Sequence, residues 1–206
     1  PQMWTTKWQA RNADCVIEEM QFYIDKYKVT NFDFYDLTTI VRKDWIVEFC
    51  QKVIKKNWNI TWQMPAGTRS EALDDETLGL MVLSGQHMIS YAPESGSAVT
   101  LQKIKKKIKV DRMKQSIKSA LSKGMDVKLN LMMGFPHETH KDMFRTLIFL
   151  KDAAVLGVND AYVGAFAPYP GSELFDQLHK NGQISNLDDK YFHNLSSNSD
   201  IFNSYS

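Results

Sequence analysis

Three carboxylates in this sequence, Asp36, Glu94 and Glu138, each follow closely on a short apolar run. Glu94 stands in "YAPESGS" between Pro93 and Ser95, Asp36 is followed by Thr38 and Thr39, and Glu138 closes "GFPHET" ahead of Thr139. Carboxylates brought together from separate loops can accept hydrogen bonds from ligand hydroxyls or an ammonium, bind a divalent cation, or work as an acid and a base. The same residues have plain structural uses, since Asp, Ser and Thr cap helices and turns and Glu pairs with nearby cations. Gly134 permits close backbone approach to a flat ligand, and Phe135 and Pro136 beside it are apolar. "PYPGSE" offers a stiff wall of Pro168, Tyr169 and Pro170 before Gly171 and Ser172. Arg69 has the fork geometry to grip a carboxylate. His137 and His140 form a weak metal pair without a third ligand. GxGxxG, Walker and HExxH patterns are absent.

The elements that must carry these residues alternate. Helical apolar stripes run through Val16, Met20, Tyr23 or Ile24, and Tyr27; through Trp45, Ile46, Phe49, Cys50, Val53 and Ile54; through Val110, Met113, Ile117, Ala120 and Leu121; and through Met143, Leu147, Leu150 and Ala154. Gly85, Gly124 and Gly157 fit left-handed residues just past helix ends, and Thr139 with Asp142 resembles a capping pair. Short β-type runs fall at 31–35, 60–64, 87–91, 127–133 and 161–166. Strand–helix repetition of this kind predicts parallel βαβ units, which fit either a doubly wound sheet or a β/α barrel. The helix-to-strand connections are short and plain. Nearly all the chemistry lies in the strand-to-helix loops at 36–39, 65–69, 93–97, 134–139 and 168–173, and these share one face, at the carboxyl ends of the strands.

Composition narrows the class. The 206 residues are 43% apolar and 24% charged, with a formal charge of +1, as in a globular domain with a substantial core. No run approaches the ~20 apolar residues of a membrane helix, and no signal peptide opens the chain, so a cytoplasmic protein is expected. The two cysteines, Cys15 and Cys50, exclude a disulfide scaffold, and their places on apolar stripes predict buried, inert thiols. A basic run from Lys103 to Lys123 reads as a solvated helix face or, alternatively, as a phosphate- or nucleic-acid-facing patch.

The loops and strands "FDFYDLT", "GTRSEALDDETLGLMVLSG", "YAPESGSAVTLQKIKKK", "VKLNLMMGFPHET" and "FAPYPGSELF", in this order and spacing, resemble the radical S-adenosylmethionine superfamily, in particular its cobalamin-associated branch. The resemblance implies a partial β/α (TIM-like) barrel of parallel strands with an incomplete first βα unit, forming a core at 1–182 and leaving a polar, loosely ordered or truncated extension at 183–206. It implies S-adenosylmethionine as cofactor: Asp36, Leu37 and Thr38 at its methionine amino group, Glu94 and Ser95 at its ribose or carboxylate, Gly134, Phe135 and Pro136 on its adenine, and the backbone near Phe166 and Ala167 closing that pocket. In the intact parent it implies a [4Fe–4S] cluster, reductive cleavage to a 5′-deoxyadenosyl radical or cobalamin-linked methyl transfer or cyclisation, a small-molecule substrate, and an electron donor such as flavodoxin or ferredoxin.

Two departures stand out. In the family's Gly-x-Ile-x-Gly-x-x-Glu pattern, Asn130 and Met132 occupy the earlier positions and Glu138 falls one residue late. The cluster motif CxxxCxxC is missing, and the chain opens on Pro1 near where that motif should end, so truncation before or at the cluster loop is expected and this fragment alone should be inactive. Two other classes remain open on the residues themselves. One is a β/α-barrel enzyme using Asp36, Glu94 and Glu138 around a divalent metal or as acid and base. The other, disfavoured by the lack of aromatic residues among the lysines, is a non-catalytic nucleic-acid binder using 103–123.

Overall fold

Several helices in this chain start where a side chain can satisfy their first amides, while those that start after Arg42 and Lys109 lack such a cap. Asp74, Ser97 and Ser172 accept from the backbone N–H three residues on, and Thr139 and Asp142 form a reciprocal capping box. The computed structural model describes residues 9–35, 42–68, 73–184 and 187–197. Along them run α1 (Ala13–Tyr27), β1 (Asn31–Asp33), α2 (Lys43–Lys56), β2 (Thr61–Thr68), α3 (Asp75–Leu83), β3 (Gln86–Glu94), α4 (Ala98–Lys103), α5 (Val110–Ser122), β4 (Asp126–Met133), α6 (His140–Leu156), β5 (Asp160–Ala165), α7 (Glu173–Lys180) and α8 (Asp189–Ser197). Gly85 marks the tightest helix–strand crossing: its φ is +97°, and an added Cβ would lie 2.4 Å from the Ile60 carbonyl oxygen.

The five strands are all parallel and ordered β1-β2-β3-β4-β5, with no pairing between β1 and β5. Right-handed crossovers that always step to the next strand put the connecting helices on one face. A doubly wound sheet would reverse its order at a switch point, and this sheet does not. The result is an open half-barrel. The expected strands are present with shifted ends: β1 stops at Asp33, while β2 and β3 run on to Thr68 and Glu94 through register irregularities after Met64 and Tyr91. Those irregularities let Pro93, which cannot donate to a ladder, lie inside a strand.

The convex face of the sheet and the helices form the core. Trp62, Met64, Ile89, Tyr91, Val127 and Leu129 are buried against Ile46, Phe49, Leu78, Met81, Met113 and Ile117. Buried polar tips find partners: Trp62 Nε1 donates to the Ser84 carbonyl at 3.0 Å, and Tyr91 Oη donates to the Ser116 carbonyl at 3.1 Å. The concave face is polar. Asp33 Oδ1 accepts from Gln63 Nε2 at 2.8 Å and from Asn31 Nδ2 at 3.0 Å, and Thr61 Oγ1 donates to Asn31 Oδ1.

Three sequence expectations are corrected here. The buried face of α6 is Asp142, Thr146, Phe149 and Ala153, one residue out of step with the apolar stripe, and Leu147 is exposed. That helix receives a polar loop, so its inner face carries hydrogen-bonding residues that hydropathy alone assigns to solvent. In α1 the buried residues are Ala13, Ile17 and Met20, while Tyr23 and Tyr27 are exposed and pack on each other. Cys50 is buried as expected, but Cys15 is exposed, because it lies two residues from both Ala13 and Ile17 and so on the opposite side of the helix from that buried face. Within the expected polar extension, residues 189–197 form α8, whose Tyr191 packs on the Phe175 ring.

Candidate functional site

The end of β3 is the most unusual piece of backbone in the site. The Ser95 amide reaches back to the Pro93 carbonyl at 2.8 Å, closing a three-residue turn centred on Glu94 at φ +66°. A residue with a side chain adopts such a turn rarely, at a cost of about 1–3 kcal/mol. The turn holds the Glu94 side chain, 19% exposed, against Lys106, whose Nζ lies 2.9 Å from Glu94 Oε1.

The following residues dock this loop on α6. Ser95 and Thr146 share a hydroxyl–hydroxyl hydrogen bond of 3.0 Å, the Gly96 amide donates to Thr146 Oγ1 at 3.1 Å, and Ser97 Oγ donates to Asp142 Oδ1 at 2.7 Å. Gly96 lies so close that a Cβ there would meet the Phe149 Cβ at 2.5 Å and the Arg145 carbonyl oxygen at 2.8 Å. Thus "SGS" is first a docking sequence. Ser95 and Ser97 are fully buried, with their hydroxyls committed to α6 and to the start of α4. Asp142 collects donors from Thr139, Ser97 and Arg145, and the first two hold its carboxyl well below the usual carboxylate range.

The loop after β4 is organised by Glu138. Its Oε2 accepts from the Gly134 amide at 2.8 Å and from the Phe135 amide at 3.4 Å, and Thr100 Oγ1 donates to its Oε1 at 3.4 Å. Gly134 has φ +87°, which opens this turn and leaves its backbone partly exposed. Phe135 is turned inward, 4.9 Å from the Phe166 ring in a small second core with Phe175, Leu178 and Ile184, while Pro136 is exposed.

After β5, Phe166 donates its amide to the Met133 carbonyl at 2.8 Å, and Tyr191 Oη donates to the Pro168 carbonyl. Phe166 and Ala167 line a cleft of about 450 Å³, with His137, Ile104, Tyr169 and Leu174 around it. The His137 ring stacks on Phe135, and burial together with Lys103 pushes its pKa down, so it is neutral at pH 7. His137 Nε2 is buried and has no hydrogen-bond partner. His140 is exposed, and among the described residues no three His, Cys, Asp or Glu side chains are grouped to hold a metal.

Glu94, Ser95, Gly134, Phe135, Pro136, Phe166 and Ala167 are therefore placed on three neighbouring loops at one edge of the sheet. Asp36, Leu37, Thr38 and Arg69 lie outside the described residues. The carboxylates named for a metal or acid–base site have other work: Glu94 pairs with Lys106, and Glu138 binds backbone amides. Lys106, Asp142 and Thr146 were not legible as site residues, since a basic run, a helix start and a polar position within a helix usually face solvent. In the basic run itself, Lys103 donates to the His137 carbonyl, and Lys105, Lys106, Lys114 and Lys123 pair with Glu173, Glu94, Asp152 and Asp75. These cations tie the α4–α5 region to its neighbours.

A [4Fe–4S] cluster of the family kind needs three thiolates, and this chain does not fit it. The sequence holds two cysteines, one exposed on α1 and one buried in α2, with the Cys50 thiol pushed up to about 12 by burial. The groups at the carboxyl ends of β3, β4 and β5 are of kinds that suit a nucleoside: a strained carboxylate at the end of β3, a glycine-opened backbone after β4, and a cleft beside Phe166 whose lining includes an imidazole with an unpartnered nitrogen.

Comparison with known proteins agrees with this geometry. The description "Radical SAM superfamily" applies to residues 3–150. The chain is 28% identical over 188 residues to cytidylyl-2-hydroxyethylphosphonate methyltransferase of Streptomyces wedmorensis, covering 88% of this chain and 34% of that protein. It is 24% identical over 178 residues to an uncharacterized methyltransferase of Pyrococcus horikoshii, covering 86% of this chain and 38% of the relative. Its fold is similar to the radical S-adenosylmethionine methyltransferase TsrM of Kitasatospora setae, a structure with cobalamin and a [4Fe-4S] cluster bound, at a TM-score of 0.75 and 10% identity over 89% of this chain and 36% of that one. The chain thus spans little more than a third of each of these proteins. With the family covering most of the sequence and the half-barrel and its loops in agreement, the chain belongs to the radical S-adenosylmethionine superfamily.

Proposed function

We propose that this chain forms the S-adenosylmethionine-binding part of a radical enzyme of the cobalamin-associated kind, acting on a small molecule by methyl transfer or cyclisation. The observation that carries the reading is the placement of Glu94, Gly134 and the Phe166–Ala167 backbone at the neighbouring carboxyl ends of β3, β4 and β5 in a parallel half-barrel. Glu94 accepts from the ribose hydroxyls or the ammonium, the opened backbone at Gly134 lies along the base, and the cleft beside Phe166 and Ala167 excludes water from it. Asp36, Leu37 and Thr38 are proposed to hold the methionine amino group. Two of the relatives above are methyltransferases by name, which supports group transfer within the superfamily.

S-adenosylmethionine, bound and reduced by an iron–sulfur cluster, supplies one-electron cleavage chemistry. The cluster thiolates, any cobalamin and the electron donor, a flavodoxin or ferredoxin, come from outside these residues. This chain's own part is to bind and orient the nucleoside and to present the polar concave face, with Asp33 and Gln63, to the substrate. The test is an amide-shift titration of the 15N-labelled chain with S-adenosylmethionine. Saturable shifts confined to Glu94–Ser97, Gly134–His137 and Phe166–Ala167 are expected. Shifts elsewhere, or none, would sink the reading.

A further inference from the structure

The concave face carries an aromatic ring for which nucleoside binding has no use. In β5, Ala161 and Val163 pair with Leu129 and Leu131, whose side chains belong to the core. Side chains alternate along a strand, so Tyr162 and Gly164, paired with Asn130 and Met132, face the hollow of the half-barrel. Tyr162 is 51% exposed there, although burying so large a ring is favourable.

Gly164 sets the pose of that ring. A Cβ at position 164 would lie 3.0 Å from Tyr162 Cε1 and 3.3 Å from its hydroxyl oxygen. The ring is therefore folded along its own strand, over Gly164 and toward the carboxyl end of the sheet. Folded down in this way, it offers the hollow a side of the ring and not its hydroxyl tip. Asn130 stands beside it on β4, partly exposed, and its amide makes no hydrogen bond to another described residue. One step back along the same two strands, Lys128 Nζ and Asp160 Oδ2 pair at 3.0 Å, so the charges nearest in register are matched to each other. What remains for a ligand is an aromatic surface and a neutral amide.

We propose that Tyr162 and Asn130 form a substrate platform for a planar heteroaromatic ring with an amide-like edge, of the pyrimidine-base type. The ring stacks on Tyr162, and the Asn130 amide reads its edge. Stacking of this kind requires a flat π-system. An Asn amide presents one donor side and one acceptor side, so a half-turn fits it to the edge of uracil or of cytosine. The inference rests on the reading above only in taking the concave face as the substrate's side, and it adds the class of substrate.

The test is an amide-shift titration of the whole 15N-labelled chain with uridine, cytidine and 5,6-dihydrouridine, which keeps the uracil edge on a ring that is no longer flat. Uridine and cytidine are expected to shift Asn130–Met132 and Tyr162–Gly164, and uridine to bind about tenfold more tightly than dihydrouridine. Tyr162→Leu should bring uridine down to the level of dihydrouridine, while Tyr162→Phe keeps the difference. Asn130→Leu should weaken both alike and preserve it. The wild-type comparison needs no variant, so it decides the matter even where a substitution impairs folding. Equal binding of uridine and dihydrouridine, shifts away from these strands, or no binding of either pyrimidine would overturn the proposal, as would displacement of uridine by S-adenosylmethionine. Uridine binding here without any S-adenosylmethionine shifts would sink the cofactor reading alone; the reverse result would sink this inference alone.

Discussion

Asp142 shows how much of the site depends on single side chains that touch no ligand. Its two oxygens receive the hydroxyls of Ser97 and Thr139, so one buried carboxylate joins the start of α4 to the start of α6. The group's acidity is raised by folding, which fixes the sign of its pH dependence. The folded protein favours the ionised form more than the unfolded chain does, so the stabilisation is present above the ordinary carboxylate range and fades as pH falls through the lowered folded value. Asp142→Asn keeps the size of the side chain but replaces one acceptor with a donor facing donors. It is expected to lower the unfolding midpoint by several degrees at pH 7, with the gap to the wild type narrowing only as the pH falls below the ordinary carboxylate range towards the lowered folded value. Thermal melts across that range check it, and a gap that stays constant with pH would refute the charge-based account.

The docking of the β3–α4 loop on α6 belongs to the scale of elements. The two segments are held by Ser95, Gly96 and Ser97 against Thr146 and Asp142, and the fit leaves no room for a Cβ at position 96. Gly96→Ala must push the loop away from the Arg145 carbonyl and the Phe149 side chain, neither of which is the free end of a flexible chain. Overpacking of this kind costs about 1–3 kcal/mol. The expected outcome is a loss of that size in denaturant unfolding, accompanied by weaker S-adenosylmethionine binding because Glu94 begins the displaced loop. Unchanged stability would show that the loop has another place to rest.

At the scale of the whole molecule, the half-barrel brings the loops after β3, β4 and β5 side by side, and among the described residues it brings together no set of cluster thiols. With two cysteines, one on the outside of α1 and one in the core, the chain is expected to take up no stoichiometric iron–sulfur cluster on anaerobic reconstitution with iron and sulfide. Iron and sulfide analysis with a visible spectrum decides this, and a full cluster per chain would require ligands that neither the sequence nor the described residues supply. No helix among the described residues is long and apolar enough to cross a membrane.

The sequence by itself determined the alternation of strands and helices, the helix cap at Thr139, the left-handed glycines, and the crowding of unusual residues into the strand-to-helix loops. Those are local properties, set by side-chain period and backbone preference within a few residues. It could not choose between a doubly wound sheet and a barrel, because strand order depends on which elements pack together. It also placed the inner face of α6 one residue off, since Thr146 and Asp142 become interior only when Ser95 and Ser97 arrive from a loop some fifty residues earlier, as the Ser95–Thr146 contact shows. Tertiary structure alone decided that Glu138 serves backbone amides, that Ser95 is committed to α6, and that Lys106 meets Glu94. Each is a pairing between distant segments, and the energy that selects it comes from burial and hydrogen bonding after the chain has closed.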